Sequence, residues 1–192
     1  MEQAGIEMLA RLTGRPLVKN TERRTNGLLS GECDVFDAPI RHGRDAKLPY
    51  SMASMPIVLA DCYDSGYEYQ MRGYMSEGLW DAESWSVDYL LLSTPEELIG
   101  FEPPSLHYVD HIPEALRWTT WLVTRDRALE ALILDKVLAA RRYYREVLNE
   151  FDRTHGSKPA EAPAAAPWAE PVTPTAAPAA RTPAAKLQPA DF

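Results

Sequence analysis

Two acids and a lysine stand within a short span of this chain: Asp34 in the run Gly31-Glu32-Cys33-Asp34, then Asp45 and Lys47 in Asp45-Ala46-Lys47. Alternate residues of a strand share a face, so Glu32 lies beside Asp34, and Asp45 beside Lys47. If residues 28–36 and 39–47 are antiparallel neighbours joined through Asp37-Ala38-Pro39, the acids and the lysine converge. Such a cluster suits a hard divalent cation, which takes carboxylate and carbonyl oxygens and is commonly held by one or two protein carboxylates plus a substrate phosphate. The ion would acidify a bound water, and a lysine would orient that water or offset charge on phosphate. The same residues also suit a solvated hairpin with ordinary surface charges, because Asp-x-Lys is a short pattern.

Composition bounds the rest. With 192 residues and 45% hydrophobic content, the chain has room for one domain of about 150 residues plus an appendage. Two cysteines, Cys33 and Cys62, make no disulfide framework, and the start of the chain does not read as a secretory leader. A reducing cytoplasm is expected. Apolar stretches such as Tyr89–Leu92 are too short to span a bilayer, so no membrane role is expected. A net charge of −8 argues against a protein that coats nucleic acid by bulk electrostatics, but not against a nuclease whose acidic site is offset by a bound ion.

The elements that must position the acids follow from periodicity. Residues 28–36, 39–47, 84–92 and 116–123 read as strands, and Tyr67–Ser76 as a helix. A first helix covers Glu2 to Leu12 with Ile6, Leu9 and Leu12 inward, and Gly14 marks its exit. From Asp126 to Phe151, apolar residues recur at steps of three and four: Leu129, Leu132, Ile133, Val137, Ala140, Tyr144, Leu148 and Phe151. That stripe is expected to be a core face, with Asp126 as N-cap and Gly156 beyond the end. Interleaved helices and strands imply an α/β or α+β fold, a mixed β-sheet flanked by helices. The expected domain spans 1–155. A Pro/Ala-rich tail over 156–192 holds half of the 16 prolines and reads as disordered. Trp168 is the large apolar group within it, an anchor or an incidental aromatic.

Other polar residues are weaker candidates. His42 lies in the expected hairpin, where it either touches a phosphate or is simply exposed. His107 and His111 are four apart, but Pro103, Pro104 and Pro113 oppose a regular helix there, so a zinc pair is not expected. Cys33 alternates away from the acids, toward a core.

In order, Lys19–Asn26, Gly31–Asp34, Asp45–Lys47, Tyr69–Met75, Leu92–Ile99 and Ala140–Tyr144 resemble the phage-type PD-(D/E)XK exonucleases, the YqaJ-like or lambda-type viral recombination nucleases. The resemblance covers nearly everything before the tail, and its specificity lies in the ordered set. It implies a restriction-endonuclease-like fold and a Mg²⁺-dependent exonuclease, with Mn²⁺ as a possible substitute. Double-stranded DNA would be digested from an end for recombination by strand annealing.

By the same resemblance, Asp34 and Asp45 are metal carboxylates and the Ala46 carbonyl is the third protein ligand. Lys47 positions the attacking water, Glu2 is a further catalytic acid from the first helix, and Gln70, Tyr74 and Arg72 meet the substrate. Gln70 and Tyr74, four apart, share a helix face. Implied partners are a single-strand annealing protein and further copies in a ring around DNA. The segment that relatives carry ahead of the first helix is not matched, so either a shortened member or a chain that begins at an internal start is expected, with altered DNA-end recognition. The competing expectation is an inactive nuclease fold that serves as a DNA-binding or protein-interaction module.

Overall fold

The structure, a computed structural model, describes residues 1–156. The tail from Ser157, with Trp168, lies outside the described residues. Helix α1 (Glu2–Thr13) closes where Gly14 enters the left-handed region at φ 64° and returns its N–H to the Ala10 and Arg11 carbonyls. Strands β1 (Arg23–Thr25) and β2 (Ser30–Glu32) form an antiparallel two-stranded sheet.

The main sheet has the order β3-β4-β5-β6, from Val35–Asp37, His42–Lys47, Ser84–Leu90 and Trp118–Thr124. Its outer pairs, β3–β4 and β5–β6, are antiparallel, whereas β4–β5 is parallel with Asp45 opposite Val87. A parallel pair needs a long crossover. Here it runs through a short helix, α2 (Leu59–Cys62), and α3 (Ser65–Met75). Asp64 caps α3 by accepting the Gly66 and Tyr67 N–H groups, so the helix starts two residues before the periodicity predicts.

Each face of the sheet carries a helix. Met71 and Met75 of α3 pack with Trp85, Val87 and Val123, whose side chains share the face of Asp45 and Lys47. Met8 and Leu9 of α1 pack with Leu90 on the other face. The expected mixed sheet flanked by helices is therefore the architecture found.

Three expectations need correction. Residues 28–36 are not one strand: the chain breaks at Cys33-Asp34 and passes from one sheet to the other. The break is held by Asn20, whose side chain donates to the Cys33 carbonyl at 3.0 Å and whose N–H donates to the Asp34 carbonyl at 2.7 Å. Two carbonyls that would otherwise be free to extend a ladder are thereby taken. His42 is not exposed; it is buried between Ser84 (2.8 Å) and Ser86 (3.1 Å), on the sheet face opposite Asp45.

The third concerns helix α4 (Arg127–His155), which Asp126 caps. Its stripe is core only in part: Leu129, Ile133 and Val137 are half-buried, but every residue after Arg141 is exposed. Helix α3, with 11 residues, is too short to cover a helix of 29. Arg141 marks the end of the covered part, donating to the Gly27 and Leu28 carbonyls at 3.1 and 2.7 Å.

Candidate active site

Asp34 sits just before β3, and its carboxylate accepts the Ala46 N–H at 2.7 Å. Asp45, on β4, is buried, and its Oδ2 lies 2.6 Å from Lys47 Nζ. The ammonium is the charged partner of that buried oxygen. Lys47, two residues along the same strand face, carries its ammonium 4.3 Å from the centre of the Tyr67 ring. The break at Asp34 and the alternation of β4 together set Asp34 beside Ala46, between Asp45 and Lys47.

The acids feel each other. Burial first, then the Asp45 charge and more weakly Glu2, push the Asp34 carboxyl up to about 6, against the opposing pull of the Ala46 N–H and Lys47. Burial works against the Lys47 charge, but the Asp45 carboxylate outweighs it and holds the ammonium above its usual value. A buried pair of carboxylates that resists double ionisation is stabilised by a cation placed between them.

Other predicted residues fall around this centre. Glu2, at the start of α1, contributes charge at Asp34 and accepts an ion pair from Lys19 at 2.7 Å. Gln70 and Tyr74 share a face of α3: the Gln70 amide donates to the Tyr74 hydroxyl at 3.1 Å, which donates to the Glu32 carbonyl at 3.3 Å. Tyr74 lies so close over Gly31 that a Cβ there would stand 2.1 Å from its ring. Arg72 points away on the opposite flank of α3, bound to Glu68 at 2.7 Å and to the Thr124 carbonyl at 2.9 Å. Cys33 is buried in the core, where burial raises its thiol to about 12, so it is no nucleophile.

Among solved structures, this chain is similar to a phage-related exonuclease from Haemophilus somnus 129PT at 32% sequence identity and a TM-score of 0.73, over 78% of this chain and 70% of that one. The chain belongs to the phage-type exonucleases. It is also similar to an alkaline exonuclease from Laribacter hongkongensis, with a TM-score of 0.58 over 81% of this chain and 70% of that one. At 14% identity that likeness speaks for the restriction-endonuclease-like fold alone. No family model and no curated protein matches the chain.

The donor set of this phage-type exonuclease fits a hard divalent cation. Asp34 and Asp45 offer carboxylate oxygens close enough for their charges to interact, and Asp45 Oδ2 is buried against the Lys47 ammonium. Among the described residues no three of His, Cys, Asp and Glu form a metal-sized cluster. Among the described residues no helix is long and apolar enough to cross a membrane.

Three participants escape the sequence reading. Lys19 is quoted there only within a longer run, yet it reaches Glu2 and feels the charges of Asp34 and Glu32. The Tyr67 ring against Lys47 depends on how α3 crosses the sheet. Asp88 is fully buried behind β4, where it accepts from Trp118 Nε1 (2.9 Å), Ser86 (2.6 Å) and Arg44 (3.1 Å). The sequence reading places it only within the strand expected over residues 84–92.

Proposed function

We propose that this phage-type exonuclease is a divalent-metal-dependent deoxyribonuclease that hydrolyses phosphodiester bonds of double-stranded DNA from an end, with Mg²⁺ as the ion and Mn²⁺ as a substitute. One observation carries the reading: the Asp34 carboxylate is bound to the Ala46 N–H, between Asp45 and Lys47, whose side chains form an ion pair, and the Asp34 and Asp45 charges oppose each other. The Asp34 and Asp45 carboxylates and the Ala46 carbonyl would hold the ion. When bound, it supplies an acidified water and positive charge at the phosphate.

The remaining roles belong to the chain itself. Lys47, held by Asp45, orients the attacking water and faces the charge that develops on the phosphate. The Gln70–Tyr74–Glu32 hydrogen-bond chain fixes the backbone that leads into Asp34 and offers the Gln70 amide to the DNA backbone. Glu2 and Lys19 flank the pocket. Digestion from an end leaves single strands, so a single-strand annealing protein is the expected partner and recombination by annealing the expected process. A homo-oligomer belongs to the same reading.

The test is digestion of end-labelled linear duplex during Mg²⁺ and Mn²⁺ titration, with Lys47→Ala as control. Expected is metal-dependent release of label by the wild type and a loss of about 10²–10³-fold in the variant. Intact DNA in both metals, with wild type and variant alike, leaves a nuclease-fold binding module instead.

A further inference from the structure

Strand β5 is apolar on one face and polar on the other, though most of it is buried. Trp85 and Val87 point to the α3 face, whereas Ser84, Ser86 and Asp88 alternate onto the α1 face. Asp88 is 0% exposed. Packing alone has no use for a carboxylate there, because taking its charge from water is expensive. Both oxygens are engaged: Oδ1 accepts from Trp118 Nε1 on β6, and Oδ2 accepts from the Ser86 hydroxyl and from Arg44 Nη1 on β4. One buried anion therefore ties three strands together.

The tie crosses the strand that carries the second acid and the lysine. Arg44 is the residue before Asp45, and Asp88 stands opposite Ala46, the residue after it, in the parallel register. The Arg44–Asp88 ion pair thus runs diagonally behind Asp45, on the other face of the sheet. From the same strand His42 adds contacts to Ser84 and Ser86. A buried ion pair stabilises a protein little more than a neutral pair of similar size, but separating its charges is costly. The pair therefore opposes any slide of β4 along β5, a movement that would carry the Ala46 backbone and the Asp45 and Lys47 side chains with it.

We infer that Asp88, through Arg44, is a positioning residue for the proposed metal and phosphate site, holding the Asp45–Lys47 stretch of β4 in place from behind the sheet. Its effect on catalysis rests on the nuclease reading above, whereas its effect on the strand is read without metal or DNA.

The experiment compares two variants. Asp88→Asn leaves the Arg44 charge buried without its partner. Asp88→Asn combined with Arg44→Met removes both charges and keeps an acceptor for Trp118. The single variant is expected to melt lower than wild type and the double to recover, as neutral replacements of buried pairs do. Digestion of linear duplex is expected not to recover with it. In the double variant the Mg²⁺ concentration for half-maximal rate rises and kcat falls, each about tenfold, with KM for DNA unchanged. In the metal-free protein, amide hydrogen exchange at Ala46 is expected to quicken about tenfold in the double variant.

The inference is overturned if the double variant has the wild-type kcat and Mg²⁺ requirement, or if exchange at Ala46 is unchanged. It is overturned too if the double variant is no more stable than the single, since the pair is then held for stability. A wild type that digests no DNA in either metal overturns the nuclease reading instead, and exchange at Ala46 still decides the role of Asp88.

Discussion

The Asp34 carboxylate is hydrogen-bonded to the N–H of Ala46, at 2.7 Å, the residue that stands between the second acid and the lysine. One bond therefore sets the distance between the two acids, and it does so with the atom that would otherwise extend the β3–β4 ladder. Asp34 has two carboxylate oxygens; Oδ2 is committed to the backbone. The other is the oxygen available for a ligand.

Replacing Asp34 by Asn keeps an acceptor for the Ala46 N–H and removes the charge. Digestion of duplex DNA is expected to fall about 10²–10³-fold. Without metal the variant should melt no lower than wild type, because the repulsion between Asp34 and Asp45 is gone. Mg²⁺ is expected to raise the melting temperature of the wild type and to leave that of the variant unchanged. Scanning fluorimetry with and without Mg²⁺ reads both effects.

Glu2 and Lys19 stand at the edge of the pocket with 41% and 38% of their side chains exposed. Glu2→Gln and Lys19→Ala are expected to lower digestion about tenfold, well short of the loss at Asp34, with melting temperature unchanged, as exposed pairs contribute little to stability. A loss in either variant as large as in Asp34→Asn would promote that residue to the centre of the site.

Gly31→Ala forces a methyl to within 2.1 Å of the Tyr74 ring, so the ring must leave and the hydroxyl must release Gln70 and Glu32. A cost of about 1–3 kcal/mol is expected in urea unfolding. Tyr74→Ala creates space for the methyl, so the double variant should be more stable than the sum of the singles implies. Strict additivity would mean that the ring is not what the methyl meets.

His42 is buried, and desolvation, with help from Arg44, lowers it to about 4 from its ordinary 6.5. The folded state thus binds this proton more weakly than the unfolded chain. Its contribution is fully present above pH 6.5 and is lost as pH falls toward 4. Between pH 7.5 and 4.5 the loss is roughly 2–3 kcal/mol, at 1.36 kcal/mol per unit. Urea unfolding of wild type and His42→Asn at both pH values isolates it: the variant should show a smaller drop by about that amount.

What could be read from the chain alone, and what could not, divides along a physical line. Asp45 and Lys47 share a face through the period of a strand, and the alternation is written in adjacent residues. The break at Asp34 is not, because it depends on Asn20 reaching the Cys33 and Asp34 carbonyls from far upstream. Helix α4 was legible from its stripe and its Asp126 cap, but periodicity says only that a face wants cover, not whether α3 is long enough to supply it. Asp88 was invisible as a buried acid because its partners Arg44 and Trp118 arrive from two other strands.

The parallel pairing of β4 with β5 has a consequence for the life of the chain before it is complete. Strand β4 carries Asp45 and Lys47, yet its neighbour β5 lies beyond residues 48–83, and Tyr67 arrives only with that crossover. Contacts so distant in sequence form late, after the loop between them has closed. A ribosome-bound chain that has emerged only through Lys47 therefore owns the acids and the lysine but not the pocket. A DNA-cutting activity assembled in this way is withheld from the cell until most of the domain has been made.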